Sequence, residues 1–341
     1  MPSGLIFITG ATGFIGSAVA LQALKQGYQL RISVRRESQI QKLKNLFSKD
    51  GYSDKVEFVV VADITQNSAL AGRLDGVEYV LHIASPLLHG TDKESYFDPA
   101  VKGTMAILTE AAKVESIKKV VVTSSIAAFI PVTGVPAGGV IKENNPWDFT
   151  IDPSADFTSP SGNDSVTAMR LYHASKLLAY NATWDFQKHQ SPHFSLVTLN
   201  PAFVYGHNHL QTTADEIKGS TNQMFFGTIM SGTPLGNITV VHIQDVAEAH
   251  VKALSDSVPD GSRFLLAGEK AAWKDVAKVV EREYPGCGAK IRESIPGESW
   301  NVDATKAERE LGMKWRPLDV IVREVMDQQL GFRSDRVSSQ I

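Results

Sequence analysis

Along the first half of the chain, short runs of consecutive apolar residues alternate with stretches in which apolar residues recur at helical spacing. Leu5–Thr9 is one such run, closed by Gly10, and its length and boundary predict a buried strand. From Gly13 to Gln26 the apolar positions Phe14, Val19, Leu21 and Leu24 follow a helical period that Gly27 ends. Leu30–Val34 alternates as a strand does, and Glu37–Phe47 carries Ile40, Leu43 and Leu46 on one side of a helix. Val56–Val61, Tyr79–Ile83 and Lys119–Thr123 predict three more strands, with a helix over Val101–Val114 before the last of them. Val/Ile/Leu runs without polar alternation, each followed by a helix, predict a parallel sheet covered on both faces.

A stretch rich in proline and glycine interrupts the pattern from Pro131 to about Ser165. A connection that long inside a compact domain is usually functional or mobile. Helix resumes over Val166–Lys188 and strand over Ser195–Leu199. Beyond Pro201 the rhythm is looser. One helix is expected between Gly206 and Gly236, others over His242–Ser255, Trp273–Tyr284, Thr305–Leu311 and Asp319–Leu330, and a strand over Arg263–Leu266. Ser334–Ile341 are expected to fray. The predicted architecture is α/β: a Rossmann-type doubly wound parallel sheet with a smaller, mostly helical C-terminal substrate lobe. Residues 1–200 form the dinucleotide-binding domain, with 239–258 packing back onto it. Residues 201–238 and 259–341 form the smaller lobe.

Composition narrows the partners. With 341 residues, 43% hydrophobic and 21% charged, the chain can bury a sizeable core. A net charge of −3 gives no whole-chain field for nucleic acid or an anionic membrane. The single cysteine, Cys287, allows no internal disulfide and leans towards a reducing compartment. The N-terminal apolar run is too short for a signal segment or a membrane span. A cytoplasmic protein, monomeric or homodimeric, is the expectation.

Thr9-Gly10-Ala11-Thr12-Gly13-Phe14-Ile15-Gly16 joins the first strand to the first helix. Gly10 allows a tight turn, Gly13 lets backbone approach a pyrophosphate, and Gly16 lets the helix pack close to the sheet. The helix N-terminus then offers free N–H groups and the positive end of its dipole to phosphates. At the end of the second strand stands Arg35, where an NAD site would carry a carboxylate for the ribose 2′-hydroxyl. A guanidinium there can pair with a 2′-phosphate, and Lys42 on the next helix can add a second charge. Asp63, with Ile64 beside it, follows the third strand, where a carboxylate can accept from the adenine amino group or cap the next helix. The small residues Ala84 and Ser85, with Pro86, follow the fourth strand and allow backbone to approach the ribose and nicotinamide side. NADPH/NADP+ is the cofactor these residues predict.

Tyr172-His173-Ala174-Ser175-Lys176 lies in a helical stretch, so Tyr172 and Lys176, four apart, share a face. Reducing a carbonyl requires a proton donor at oxygen while hydride reaches carbon. A phenol is a weak acid, and a nearby ammonium stabilises its phenolate. Thr123-Ser124-Ser125 ends the fifth strand, on the edge where open α/β sheets bind ligands, and a hydroxyl there can orient the same carbonyl oxygen.

With these motifs the sequence resembles the extended short-chain dehydrogenase/reductase family, in its dihydroflavonol-reductase-like and yeast methylglyoxal/ketone-reductase-like branch. The resemblance spans nearly the whole chain. It also rests on His82-Ile83-Ala84-Ser85-Pro86, Asn200-Pro201-Ala202-Phe203-Val204-Tyr205-Gly206, Val241-His242-Ile243-Gln244-Asp245-Val246 and Glu310-Leu311-Gly312. It implies that Ser125 is the catalytic serine, Tyr172 the proton donor and Lys176 the residue that promotes that transfer and holds the nicotinamide ribose. It further implies that Arg35 and Lys42 hold the 2′-phosphate, that Thr123 lies against the cofactor, and that Pro201 and Val204 lie beside the nicotinamide. The implied activity is reduction of an aldehyde or ketone by NADPH.

Two departures limit the transfer. Tyr172 follows Ser125 by 47 positions, longer than in plant members, and the excess lies in the Pro/Gly-rich loop that would roof the substrate. Sugar-nucleotide dehydratases of this family carry an Asp-Glu pair after the strand-end hydroxyl, where this chain has Ile126 and Ala127. Pro86, Phe129 and Tyr205 are expected at an apolar substrate pocket, with Phe157 and Phe226 as further candidates. The competing readings are an NAD-dependent hydroxysteroid-type dehydrogenase or epimerase, which Arg35 opposes, and an NADP(H)-binding redox sensor, which the Tyr–Lys pair opposes. None of the nine histidines has metal-ligand spacing. His242 is expected to help close the sheet or to abut the site.

Overall fold

The computed structural model describes residues 4–86 and 89–338. Its strands are β1 (Leu5–Thr9), β2 (Gln29–Val34), β3 (Val56–Val60), β4 (Tyr79–His82), β5 (Lys119–Thr123), β6 (Val140–Ile141), β7 (Ser195–Pro201), β8 (Phe203–Tyr205), β9 (Val240–His242), β10 (Arg263–Leu266) and β11 (Asn301–Val302). Its helices are α1 (Phe14–Lys25), α2 (Ile40–Ser48), α3 (Asn67–Leu70), α4 (Glu94–Ala111), α5 (Asp164–Gln190), α6 (Thr221–Ser231), α7 (Ile243–Lys252), α8 (Trp273–Glu283), α9 (Thr305–Leu311) and α10 (Leu318–Ser338).

Seven strands form one parallel sheet in the order β10-β7-β5-β4-β1-β2-β3. This is the doubly wound arrangement expected from the apolar runs, whose central strands are almost wholly buried. β1 pairs with β2 on one side and β4 on the other, so the chain reverses its winding direction there. In such sheets the crevice outside the strand ends at that reversal is where ligands bind.

Five differences from the predicted elements are seen, the first four with physical causes. α4 starts at Glu94, seven residues before the expected start, and runs through Pro99. Burial of Tyr96 and Phe97 against Leu171, Ala174 and Phe157 holds the added turns, so packing outweighs the lost N–H. β10, expected in the smaller lobe, is the edge strand of the main sheet and pairs with β7. Its core partners include α7 and the buried Ala307 and Leu311 of α9. β8 and β9 form a separate two-stranded sheet, each strand too short for periodicity to reveal. Inside the Pro/Gly-rich loop, β6 pairs with β11, and Glu143 accepts the Leu265 N–H at 2.9 Å, so the loop is stitched to distant parts of the chain. α10 continues to Ser338, into the segment expected to fray, whose last three residues lie outside those described.

Tyr205, Phe225, Ile229, Val240, Trp273 and Val276 centre a second apolar cluster, to which α8 and α10 contribute. Among the described residues, no helix is long and apolar enough to cross a membrane.

Candidate active site

The loop between β1 and α1 is built on backbone contact. Gly10 has φ +79, and a Cβ there would lie 2.6 Å from the Ala84 nitrogen. A Cβ on Gly16 would lie 2.1 Å from the Gly10 carbonyl oxygen. Real Cβ atoms do not approach so closely, so glycine at both positions is a condition of the loop. Gly13 N–H closes the turn on the Gly10 carbonyl at 3.0 Å. As N-cap of α1, Gly13 provides no side chain to its first N–H groups, and the first turn holds no acidic residue. That leaves an electropositive cradle at the sheet's reversal point, of the kind a pyrophosphate fills. Thr12, Phe14 and Ile15 are partly exposed around it.

Thr9 and His82 fix the two strand ends beside this loop. The Thr9 hydroxyl accepts the N–H groups of Ile83 and Ala84, both at 3.1 Å. Its own proton therefore goes to His82 Nδ1, 2.9 Å away. That assigns the ring hydrogen to Nε2, which faces Thr104 Oγ1 at 3.5 Å, and Thr104 in turn donates to the Ala100 carbonyl at 2.8 Å. Burial, and then the neighbouring Lys176 ammonium, push the His82 imidazole down to about 4. It is neutral at pH 7 and acts as a tie between β1, β4 and α4. In the sequence His82 stands out only as part of the His82-Ile83-Ala84-Ser85-Pro86 motif.

α5 brings the next groups in. Asn163 caps it by accepting from Ser165 N–H and Val166 N–H, and its 27 residues carry Tyr172 and Lys176 on one face. Lys176 is 6% exposed. Its ammonium donates to Ser85 Oγ at 2.7 Å and lies 5.4 Å from the centre of the Tyr172 ring. Ser85, expected only as a small neighbour of the cofactor, is thus a direct partner of the lysine.

His173 donates from Nε2 to the Ile130 carbonyl at 2.8 Å, which docks this part of α5 on the 126–129 turn that follows β5. Ser125 caps that turn: its Oγ accepts the Ala127 N–H at 3.2 Å. With an acceptor position of the oxygen occupied, its O–H remains available to donate, which is the role a carbonyl oxygen requires. Thr123 instead gives its hydroxyl proton to His250 Nε2 at 2.6 Å, a bond within the fold. His250 Nδ1 donates to the Val246 carbonyl at 2.7 Å, and burial lowers this imidazole also to about 4.

The remaining predicted residues divide. Arg35 is exposed at the end of β2 and close enough to Asp63 to help depress its carboxyl. The larger cause of that depression is Thr65, whose N–H and hydroxyl both donate to Asp63 Oδ1. Asp63 therefore serves as a local turn cap. Ile64 packs against the core cluster beneath β4 and α4. Ala84, Ser85 and Pro86 are partly exposed beyond β4, while Pro201 and Val204 are buried at the end of β7 and in β8. Lys42 is bound to Glu216.

Two expected pocket walls are core residues. Phe129 is 3% exposed, edge-on to Tyr180 with ring centres 5.2 Å apart. Tyr205 is 1% exposed and packs on Phe225. The 126–129 turn and the pleat of β8 direct both rings inward. Phe157 is likewise buried, against Phe97. Phe203, which stands out in the sequence only within a motif, is partly exposed, its ring centre 6.2 Å from that of Trp300. His242 ends β9 and caps α7 by accepting the Gln244 N–H, with Nε2 3.0 Å from Glu324. Among the described residues, no group of three or more His, Cys, Asp or Glu side chains could hold a metal ion.

Comparison with known proteins places this geometry. Residues 6–267 match the model of the NAD dependent epimerase/dehydratase family. The ketoreductase sphI of Aspergillus fumigatus is 54% identical over 335 residues, covering 97% of this chain and 99% of that protein. The crystal structure of yeast methylglyoxal/isovaleraldehyde reductase Gre2 complexed with NADPH superposes with a TM-score of 0.77 at 26% identity, covering 97% of this chain and 99% of that one. Vestitone reductase from alfalfa shares the fold, with a TM-score of 0.71 at 20% identity over 96% of this chain and 99% of its own.

Proposed function

The chain belongs to the NAD-dependent epimerase/dehydratase family, the extended short-chain dehydrogenase/reductases, and we propose that within it this protein is an NADPH-dependent ketoreductase whose proton donor is Tyr172. It is an oxidoreductase of the carbonyl-reducing kind, as the similarity to a ketoreductase and to the Gre2 reductase supports. The observation that carries the finer reading is Lys176. Its ammonium donates to Ser85 and faces the Tyr172 ring, and Ala84, next to Ser85 in the chain, packs against Gly10 of the glycine loop.

The glycine loop and the α1 N-terminus fit a dinucleotide pyrophosphate, and Arg35 with Lys42 suits an adenosine 2′-phosphate. When bound, the dihydronicotinamide supplies the hydride. The chain's own residues do the rest. Ser125 donates its O–H to the substrate oxygen and fixes its position. Tyr172 delivers a proton to that oxygen as charge builds on it. Lys176 stabilises the phenolate left behind and is placed to hold the ribose hydroxyls. Ile126, buried, and Ala127 stand where a dehydratase needs an acid and a base, so water elimination has no catalyst here.

The test is NADPH oxidation followed at the nicotinamide absorbance band against a panel of ketones, diketones, keto esters and aldehydes, with NADH in parallel. Turnover with NADPH preferred, and a fall of about a hundredfold or more in Tyr172→Phe, is expected for loss of a positioned general acid. Binding of NADPH without turnover of any carbonyl would refute the reductase reading, and a preference for NADH would refute the role of Arg35.

A further inference from the structure

Lys42, one of the two cations assigned to the 2′-phosphate, is already engaged. Its Nζ lies 2.7 Å from Glu216 Oε1, joining residues 174 apart in the chain. Glu216 is held from behind: its other oxygen accepts the Thr212 N–H at 2.7 Å and the Thr212 hydroxyl at 3.2 Å. The segment that carries it is anchored too. Asn208 and Gln328 exchange two hydrogen bonds at 3.0 and 2.9 Å, and the buried amides of Gln211 and Gln329 pair reciprocally at 3.0 and 2.9 Å. Leu210 is inserted into the main core. Glu216 therefore has a fixed position, while Lys42 reaches it on a flexible four-carbon stem, with its side chain 44% exposed.

We propose that Glu216 is a cofactor-specificity residue that competes with the adenosine 2′-phosphate for Lys42, and so restrains the preference for NADPH over NADH. The proposal rests on the NADPH reading above. Both carboxylate oxygens are occupied, and a carboxylate cannot share an ammonium with a phosphate dianion without like-charge repulsion. Lys42 must leave Glu216 to serve the phosphate. A cofactor lacking the 2′-phosphate leaves the pair intact. Because the pair is half-exposed, its restraint is modest, about two- to fivefold in affinity.

Isothermal titration with 2′,5′-ADP and with 5′-AMP tests this on the wild type, Glu216→Gln, Lys42→Met and the double substitution. Glutamine keeps the Thr212 contacts and removes the charge. The expected result is 2′,5′-ADP bound about two- to fivefold tighter by Glu216→Gln, with 5′-AMP unchanged. Lys42→Met should weaken 2′,5′-ADP, and in that background Glu216→Gln should have no further effect. The proposal is overturned if Glu216→Gln weakens 2′,5′-ADP, leaves it unchanged, or shifts both ligands alike. A wild type that prefers 2′,5′-ADP while Glu216→Gln is silent sinks this proposal alone. A wild type with no preference sinks the NADPH reading as well.

Discussion

Acidification should destabilise this fold through two buried imidazoles, and the size of the effect follows from their surroundings. His82 is 2% exposed and His250 is fully buried. Each is held near 4, against an ordinary value of 6.5, chiefly by burial, with Lys176 adding to it at His82. In the unfolded chain both protonate as pH falls through about 6.5, while in the folded protein they stay neutral until about 4. Unfolding therefore takes up protons in this window, and stability falls as pH falls through it. The displacement corresponds to about 3 kcal/mol per imidazole, so about 6 kcal/mol for the pair, against a total stability of about 5–15 kcal/mol for a domain. Burial lowers His173, His207 and His209 in the same direction. Glu143 and Asp245, raised by burial, act oppositely, lower down in the carboxylate range. Urea unfolding at pH 7.5, 6.5, 5.5 and 5.0 should lose about 2.4 kcal/mol per pH unit near pH 5.5 from these two groups. His82→Gln keeps an acceptor for Thr9 and a donor for Thr104 but does not titrate, so it should remove about one proton from that slope. The slope carries the test, because the substitution also alters packing. An unchanged slope in His82→Gln, or a wild-type slope near zero between pH 6.5 and 5, would refute the reasoning.

Gly16→Ala should cost about 1–3 kcal/mol, because the new Cβ meets the backbone of Gly10 and Ala11, which has no rotamer by which to yield. Thermal unfolding with and without NADPH should show both a lower midpoint and a smaller cofactor-induced rise; an unperturbed midpoint would mean that the loop has another stable form. Ser85→Ala removes the hydroxyl that accepts from the buried Lys176 ammonium, a bond to charge contributing about 1.5–3 kcal/mol. Steady-state kinetics should show kcat falling more than the carbonyl KM changes, with Ser85→Thr restoring it. A loss that Ser85→Thr does not rescue would make the serine a packing residue.

The strands were legible because their information is local. β1, β5 and β7 are near-continuous Val/Ile/Leu segments, and a strand buried on both faces needs nothing else to announce it. β6, β8, β9 and β11 are two or three residues long, and each exists only because a partner lies beside it. No window of sequence contains Val140 together with Asn301, yet that pairing ties the long loop down. The start of α4 was missed for a related reason. Pro99 argues against helix locally, and the burial of Tyr96 and Phe97 that overrides it depends on residues in and around α5.

The same division runs through the site. The glycine loop and the Tyr-x-x-x-Lys pair are set by spacing within one turn or one helix, so residue type and interval together define their chemistry. Phe129 and Tyr205 were misplaced because an aromatic residue near a motif was expected to face the cleft, whereas the turn and the pleat decide which way a ring points. Pairs distant in the chain were invisible: Lys176 with Ser85, Thr9 with His82, Lys42 with Glu216. These have a common consequence. Sequence identifies a charged group and its ligand class, but the strength of that group depends on what the fold sets against it. Counting Arg35, after β2, and Lys42, on α2, as two free cations overstates the positive potential there, because Asp63 neighbours the first and Glu216 holds the second. In the proposed NADPH site, preference for a 2′-phosphate is then a difference between two occupied states of Lys42, and substitution of Glu216 should alter it in the direction opposite to substitution of Lys42.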